Sequence, residues 1–175
     1  MGPVESSNRT RVLVLALGND LLGDDGVGLV VARRVRERAE AEPPLCRVDV
    51  VPCAQSGLAL LEYLVGYDRV VIVDAMKTGR HSAGAVVVLG ESDFRRVVAP
   101  SAHYAGLPEV LELGRRLELT MPSEVAVVAV EVSNPYDFSP ELSPEVAEAV
   151  PEAVDRVWSL AVHGACAERP TSATR

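Results

Sequence analysis

A loop dense in carboxylates follows the first apolar run of this chain: Leu17-Gly-Asn-Asp-Leu-Leu-Gly-Asp-Asp-Gly-Val-Gly28. It holds Asp20, Asp24 and Asp25 and no lysine or arginine. A further acid, Asp74, ends the apolar stretch Val70 to Val73, and an imidazole, His103, stands ahead of a helical pattern that begins near Leu107. If the fold brings Asp25, Asp74 and His103 to one crevice, two carboxylates and one imidazole suit a borderline divalent ion such as Ni²⁺, Zn²⁺, Mn²⁺ or Fe²⁺. Three protein ligands would leave coordination positions for water or substrate. Each residue also has a plainer reading. Asp24 and Asp25 precede Gly26, where acids favour a helix dipole, and one of them is expected to cap the first helix. Asp74 reads equally as a turn residue, and His103 as a residue packed on the following helix.

Other chemistries fit less well. A dinucleotide phosphate cradle wants Gly-x-Gly-x-x-Gly after its strand. Here the glycines fall at Gly18, Gly23, Gly26 and Gly28, and three aspartates would oppose the phosphate charge. Ser56 lies in Ala-Gln-Ser-Gly, without the first glycine of a nucleophile elbow. Ser101 stands too close to His103 in sequence for a hydrolase triad. Cys53 has no evident activating histidine, and His81 and His163 read as solvent-facing.

The elements that must position these groups alternate in type. A strand is predicted at residues 11–17, then the acidic loop, then a helix at 26–42 stopped by Pro43-Pro44. A strand at 46–51 and a turn at 52–57 lead to a short helix at 58–65. Residues 67–74 form the central strand, with Asp74 as its end, and 85–89 another strand. Only about ten residues, none helical in pattern, separate these two, and a parallel crossover needs about a dozen or more, so the second is expected to be antiparallel. A helix follows Leu107, a strand covers 124–131, and an irregular loop spans 133–140. Ser143 as cap, with Pro144 in the first turn, opens the terminal helix. The expected architecture is α/β, a doubly wound three-layer sandwich whose five-stranded sheet is mostly parallel with one antiparallel strand. The first and third strands should be neighbours at its switch point, so that Asp25 and Asp74 face one crevice. A single domain is expected over residues 10–163, with disordered tails at 1–9 and 164–175.

Composition narrows the partners. A formal charge of −8 and a pI near 4.9 argue against nucleic acid, which needs a basic face. No apolar stretch approaches the roughly 20 residues of a membrane span, and the polar start lacks a signal-peptide core. Three cysteines, Cys46, Cys53 and Cys166, form no Cys-x-x-Cys. At least one is left unpaired; Cys46 and Cys53 read as buried or loop-lining thiols, and a reducing cytosol is the natural compartment.

Four segments together resemble a known family, the hydrogenase maturation proteases. They are the acidic loop just quoted, Val71-Ile-Val-Asp-Ala75, Ser101-Ala-His-Tyr-Ala-Gly-Leu107 and Glu141-Leu-Ser-Pro-Glu-Val146. The resemblance runs from about residue 11 to 160, in the family's order. It implies an endopeptidase that trims the C-terminal extension from the large-subunit precursor of [NiFe] hydrogenase. It further implies that Asp25, Asp74 and His103 bind nickel carried by that substrate, a site that Cd²⁺ or Zn²⁺ could occupy in crystals. Asp25 and Asp74 become the candidates for catalysis, either through a water polarised near the metal or through carboxylate-assisted hydrolysis. Gly18, Asn19 and Gly57 are implied as substrate-loop residues. Two departures stand out: Ala16 replaces a family glycine, and Pro52-Cys-Ala-Gln-Ser-Gly57 retains only Gly57 of a characteristic loop. Two other readings accompany this one, a non-catalytic nickel-recognising assembly chaperone and a small-molecule metallohydrolase on the same fold.

Overall fold

The computed structural model describes residues 9–94 and 106–163. Its five strands are β1 (Arg11–Leu17), β2 (Arg47–Cys53), β3 (Arg69–Met76), β4 (Val86–Gly90) and β5 (Glu124–Glu131). The helices are α1 (Val27–Ala41), α2 (Leu61–Leu64), α3 (Leu107–Arg116) and α4 (Pro144–Val162), with short 3-10 turns at Gly23–Gly26 and Gly57–Leu60. The sheet order is β2-β1-β3-β5-β4; all neighbours are parallel except β4, which runs antiparallel to β5. This is the expected doubly wound architecture, with β1 and β3 adjacent.

Strand alternation builds two cores. Val12, Val14 and Ala16 of β1 face one way and join Val71, Val73 and Val128 beneath α1 and α4. Leu13, Leu15 and Leu17 face the other way and join Val70, Ile72 and Val127 beneath α2 and α3. Because both faces are covered, β1 and β3 read as unbroken apolar runs. Each Val or Leu so buried contributes about 1.5–3 kcal/mol relative to an exposed one.

Three local expectations are corrected. The second strand continues through Pro52 and Cys53, paired with Ala16 and Leu17; β2 is a sheet edge, where a proline's missing N–H does no harm. The third strand does not end at Asp74, because Ala75 and Met76 continue its ladder with β5. Its pairing with β1 ends one residue earlier, at Ala16 and Val73. Asp74 therefore sits just past the β1–β3 ladder, where β3 runs on paired with β5 alone. Cys46 is disulfide-bonded rather than a free thiol, whereas Cys53 is free and buried.

Among the described residues no helix is long and apolar enough to cross a membrane. The tails expected at 1–9 and 164–175 lie, Arg9 aside, outside the described residues.

Candidate functional site

The acidic loop is folded back on the strand that precedes it. Gly18 adopts φ +143°, and a Cβ there would lie 2.3 Å from the carbonyl oxygen of Asp25. Only a residue without a side chain allows that approach. The loop then bonds to itself. The Asn19 N–H donates to Asp25 Oδ2 at 3.0 Å, the Leu21 N–H to Asn19 Oδ1 at 3.0 Å, and the Asp25 N–H to the Leu22 carbonyl at 2.8 Å. Asn19, implied as a substrate-loop residue, thus shapes the turn through both its backbone and its side chain.

The glycine that closes the loop brings it to Asp74. A Cβ on Gly28 would stand 2.2 Å from the Leu17 carbonyl oxygen and 2.6 Å from that of Val73. The first turn of α1 therefore rests directly on the ends of β1 and β3. Asp25 lies three residues before Gly28, and Asp74 immediately follows Val73. Both carboxylates are withdrawn from solvent: Asp74 is fully buried and Asp25 is 8% exposed. Asp74 Oδ1 accepts the N–H of Ala75 at 2.8 Å. By strand alternation Asp74 shares the face of Ile72 and Met76, the face covered by α3. Leu107, the first residue of α3, follows His103 by four positions. His103 itself lies outside the described residues, and among those described no set of three His, Cys, Asp or Glu side chains could hold a metal ion. The contact of Gly28 with the Val73 carbonyl sets the helix start, three residues after Asp25, against the residue that precedes Asp74. Gly57, the remaining predicted residue, opens the turn after β2 with φ +59° and no atom near the place of a Cβ.

Asp24 does not cap α1. Neither α1 nor the 3-10 turn before it has a side-chain cap. Asp24 instead crosses to α4, accepting the Ser143 N–H at Oδ1 (2.7 Å) and the Ser143 hydroxyl at Oδ2 (2.9 Å). A 3-10 turn already occupies the ground ahead of α1, while the start of α4 offers unpaired N–H donors. Asp24→Ala is expected to cost about 2 kcal/mol through these two lost bonds. That lowers the melting temperature by about 4–8 °C, and Ser143→Ala by less, since it removes one bond. Equal melting curves for wild type and Asp24→Ala in calorimetry would contradict the clamp.

One functional neighbour escaped the sequence reading. Glu131, 2% exposed at the end of β5, lies opposite Met76 of β3. Its Oε1 accepts the N–H groups of Thr78 and Gly79, each at 2.7 Å, and its Oε2 accepts the Thr78 hydroxyl at 2.7 Å. It pins the chain leaving β3 two residues beyond the continuation of Asp74. The signal was present, because Glu131 is an acid closing an apolar run, as Asp74 was taken to be.

His81 is exposed, and exposed His163 meets the Ser159 hydroxyl at 3.2 Å. Cys53 sulfur accepts the Gln55 N–H at 3.3 Å, and its hydrogen bond with Tyr63 pushes the tyrosine hydroxyl above its ordinary pKa.

The fold agrees with what the chain is similar to. Residues 30–160 match the family model described as hydrogenase maturation protease. The hydrogenase 2 maturation protease of Escherichia coli is 26% identical over 84% of this chain and 88% of its own. The [NiFe] hydrogenase maturation protease HybD of Thermococcus kodakarensis is 31% identical with a TM-score of 0.69, over 87% of this chain and 99% of that one. The hydrogenase maturating endopeptidase HybD of E. coli, 22% identical with a TM-score of 0.70 over 85% and 90%, shares the fold.

Proposed function

This chain belongs to the hydrogenase maturation protease family, and from that premise we propose that it removes the C-terminal extension of a [NiFe]-hydrogenase large-subunit precursor once nickel is in place. The observation that carries this reading is the backbone packing at Gly18 and Gly28, which folds the Asp25 loop onto the end of β1 and rests the start of α1 on the Val73 carbonyl, next to Asp74. The chain is a peptidase of hydrogenase maturation, and two buried acids, Asp25 and Asp74, are candidates for substrate handling or bond cleavage. We assign Asp25, Asp74 and His103 as the groups that meet nickel held by the precursor. Nickel is substrate cargo on this reading, and the precursor without it lacks the cation that draws the two carboxylates onto the scissile region.

Hydrolysis adds water across the peptide bond. The water oxygen bonds to the carbonyl carbon, the C–N bond breaks, and the departing nitrogen gains a proton. A carboxylate of the pair accepts the proton from the attacking water, work for which a positioned acid supplies about 10²–10⁴-fold. The loop's internal hydrogen bonds hold Asp25 before substrate arrives, so little ordering remains to be done on binding. Action on a cytoplasmic precursor is part of the same proposal.

The test uses purified large-subunit precursor with and without inserted nickel, followed by mass spectrometry. Loss of a C-terminal peptide is expected from the nickel-loaded form only. His103→Ala is expected to abolish that loss while leaving the circular dichroism spectrum unchanged. Equal cleavage of the nickel-free precursor, or normal processing by His103→Ala, would sink the assignment of the site.

A further inference from the structure

Apolar side chains stand in water beside the crevice on a surface that the proposed chemistry does not use. Leu21 is 66% exposed, Tyr136 73% and Phe138 87%. Leu21 lies in the loop after β1, and the other two lie in the loop after β5. A parallel bridge between Leu22 and Ser139 sets these loops side by side, and the Gly23 N–H donates to the Ser139 carbonyl at 2.8 Å. Leu21 and Phe138 each immediately precede a bridge residue.

The platform is braced. The Asp24 carboxylate holds Ser143 just past the second loop, and the Ser139 hydroxyl is bonded to both backbone groups of Glu141. Two aromatic rings held in water on a braced loop are the composition of an interface centre, where Tyr and Phe are enriched. Such rings lose little freedom on binding.

The flank of this patch is negatively charged. A cleft of about 360 Å³ runs between the two loops and the start of α4. Asp137, Glu141 and Glu145 line it, all three exposed. Among the described residues that line it there is no Lys, Arg or His. Exposed acids of one sign steer a partner of the opposite sign. An anionic lipid surface or nucleic acid would be repelled. A second copy of this chain, docking the same patch across a two-fold axis, would set the acidic rim against itself.

We propose that the face formed by Leu21, Tyr136 and Phe138, with the acidic cleft beside it, docks a basic and apolar polypeptide segment of the precursor. This rests on the reading of the chain as a processing peptidase for that precursor. The segment places apolar side chains on Tyr136 and Phe138 and a lysine or arginine over Asp137, Glu141 and Glu145. The patch thereby selects which precursor reaches the crevice.

The experiment measures binding of purified nickel-loaded precursor to the full chain by surface plasmon resonance, cleavage by mass spectrometry, and self-association by sedimentation velocity. The Tyr136→Ser/Phe138→Ser double variant is expected to raise Kd and KM at least about tenfold, the loss typical of truncated aromatic anchors, with kcat at saturating precursor unchanged. Glu141→Lys is expected to weaken binding in the same direction and to flatten its dependence on salt. Unchanged Kd and KM in both variants overturn the docking surface while leaving the peptidase reading intact. Wild-type chain that binds the precursor through this patch without cutting it supports the surface and removes the peptidase reading. Self-association that is present in the wild type and lost in the double variant makes a second copy the occupant and overturns the proposal.

Discussion

Asp74→Asn is expected to lower processing of the nickel-loaded precursor by about 10³-fold, within the range supplied by a single positioned acid or base. The substitution keeps the shape of the side chain at a fully buried position. It also keeps an oxygen that can accept the Ala75 N–H, as Oδ1 does at 2.8 Å. What it removes is the negative charge and the basic oxygen, so the loss should fall on chemistry and metal contact rather than on folding. The check is a cleavage time course beside a circular dichroism melt of the same preparation. A folded Asp74→Asn protein that processes at the wild-type rate would show that Asp74 is a structural strand residue. Asp74→Ala is the poorer test, because it empties a buried volume and adds a packing loss of its own.

Gly28→Ala is expected to destabilise the chain by about 3 kcal/mol, the upper end of the usual cost of overpacking. The added methyl would meet the carbonyl oxygens of Leu17 and Val73 at 2.2 and 2.6 Å. Neither oxygen can retreat, since both belong to central strands of the sheet. The first turn of α1 must therefore lift from the ends of β1 and β3 and carry Asp25 away from Asp74. A fall in melting temperature of about 6–12 °C follows for a chain of this size. Processing should fall further than stability, measured at a temperature where the variant is fully folded. Gly26→Ala is the control: its nearest neighbour is the Asn19 carbonyl oxygen at 3.4 Å, and its φ of −75° suits any residue. A Gly28→Ala protein that melts with the wild type would mean that the helix start does not rest on the strand ends.

The strands, the adjacency of β1 and β3 and the antiparallel β4 were legible in the sequence. Val12 to Leu17 and Val70 to Val73 are apolar on both faces, which only a strand covered by helices on both sides requires. The link between Tyr67–Asp74 and the next strand is too short for a crossover helix. Such features are local, set by period and by loop length within a few residues. Asp74 could be singled out for the same reason, as an acid directly following an apolar run, and Asp25 as part of a carboxylate-rich loop without lysine or arginine. His103 stands out as the imidazole ahead of the helical pattern at Leu107 and lies outside the described residues; the processing test decides its assignment.

The tertiary structure decided what each acid does. Asp24 and Asp25 are adjacent and chemically alike, yet one clamps Ser143, 119 residues away, and the other closes its own loop on Asn19. No local pattern separates them, because the difference comes from where α4 begins in space. Glu131 became the anchor of the Thr78–Gly79 turn only when β5 paired with β3 and set it opposite Met76. Leu21 and Phe138 became neighbours only through the bridge between Leu22 and Ser139. The sequence by itself determined the layers and the mostly parallel sheet with its antiparallel strand, because burial and chain period are written residue by residue. The pairing of those acids with their partners was decided by long-range packing, in which two glycines without side chains let one backbone rest on another.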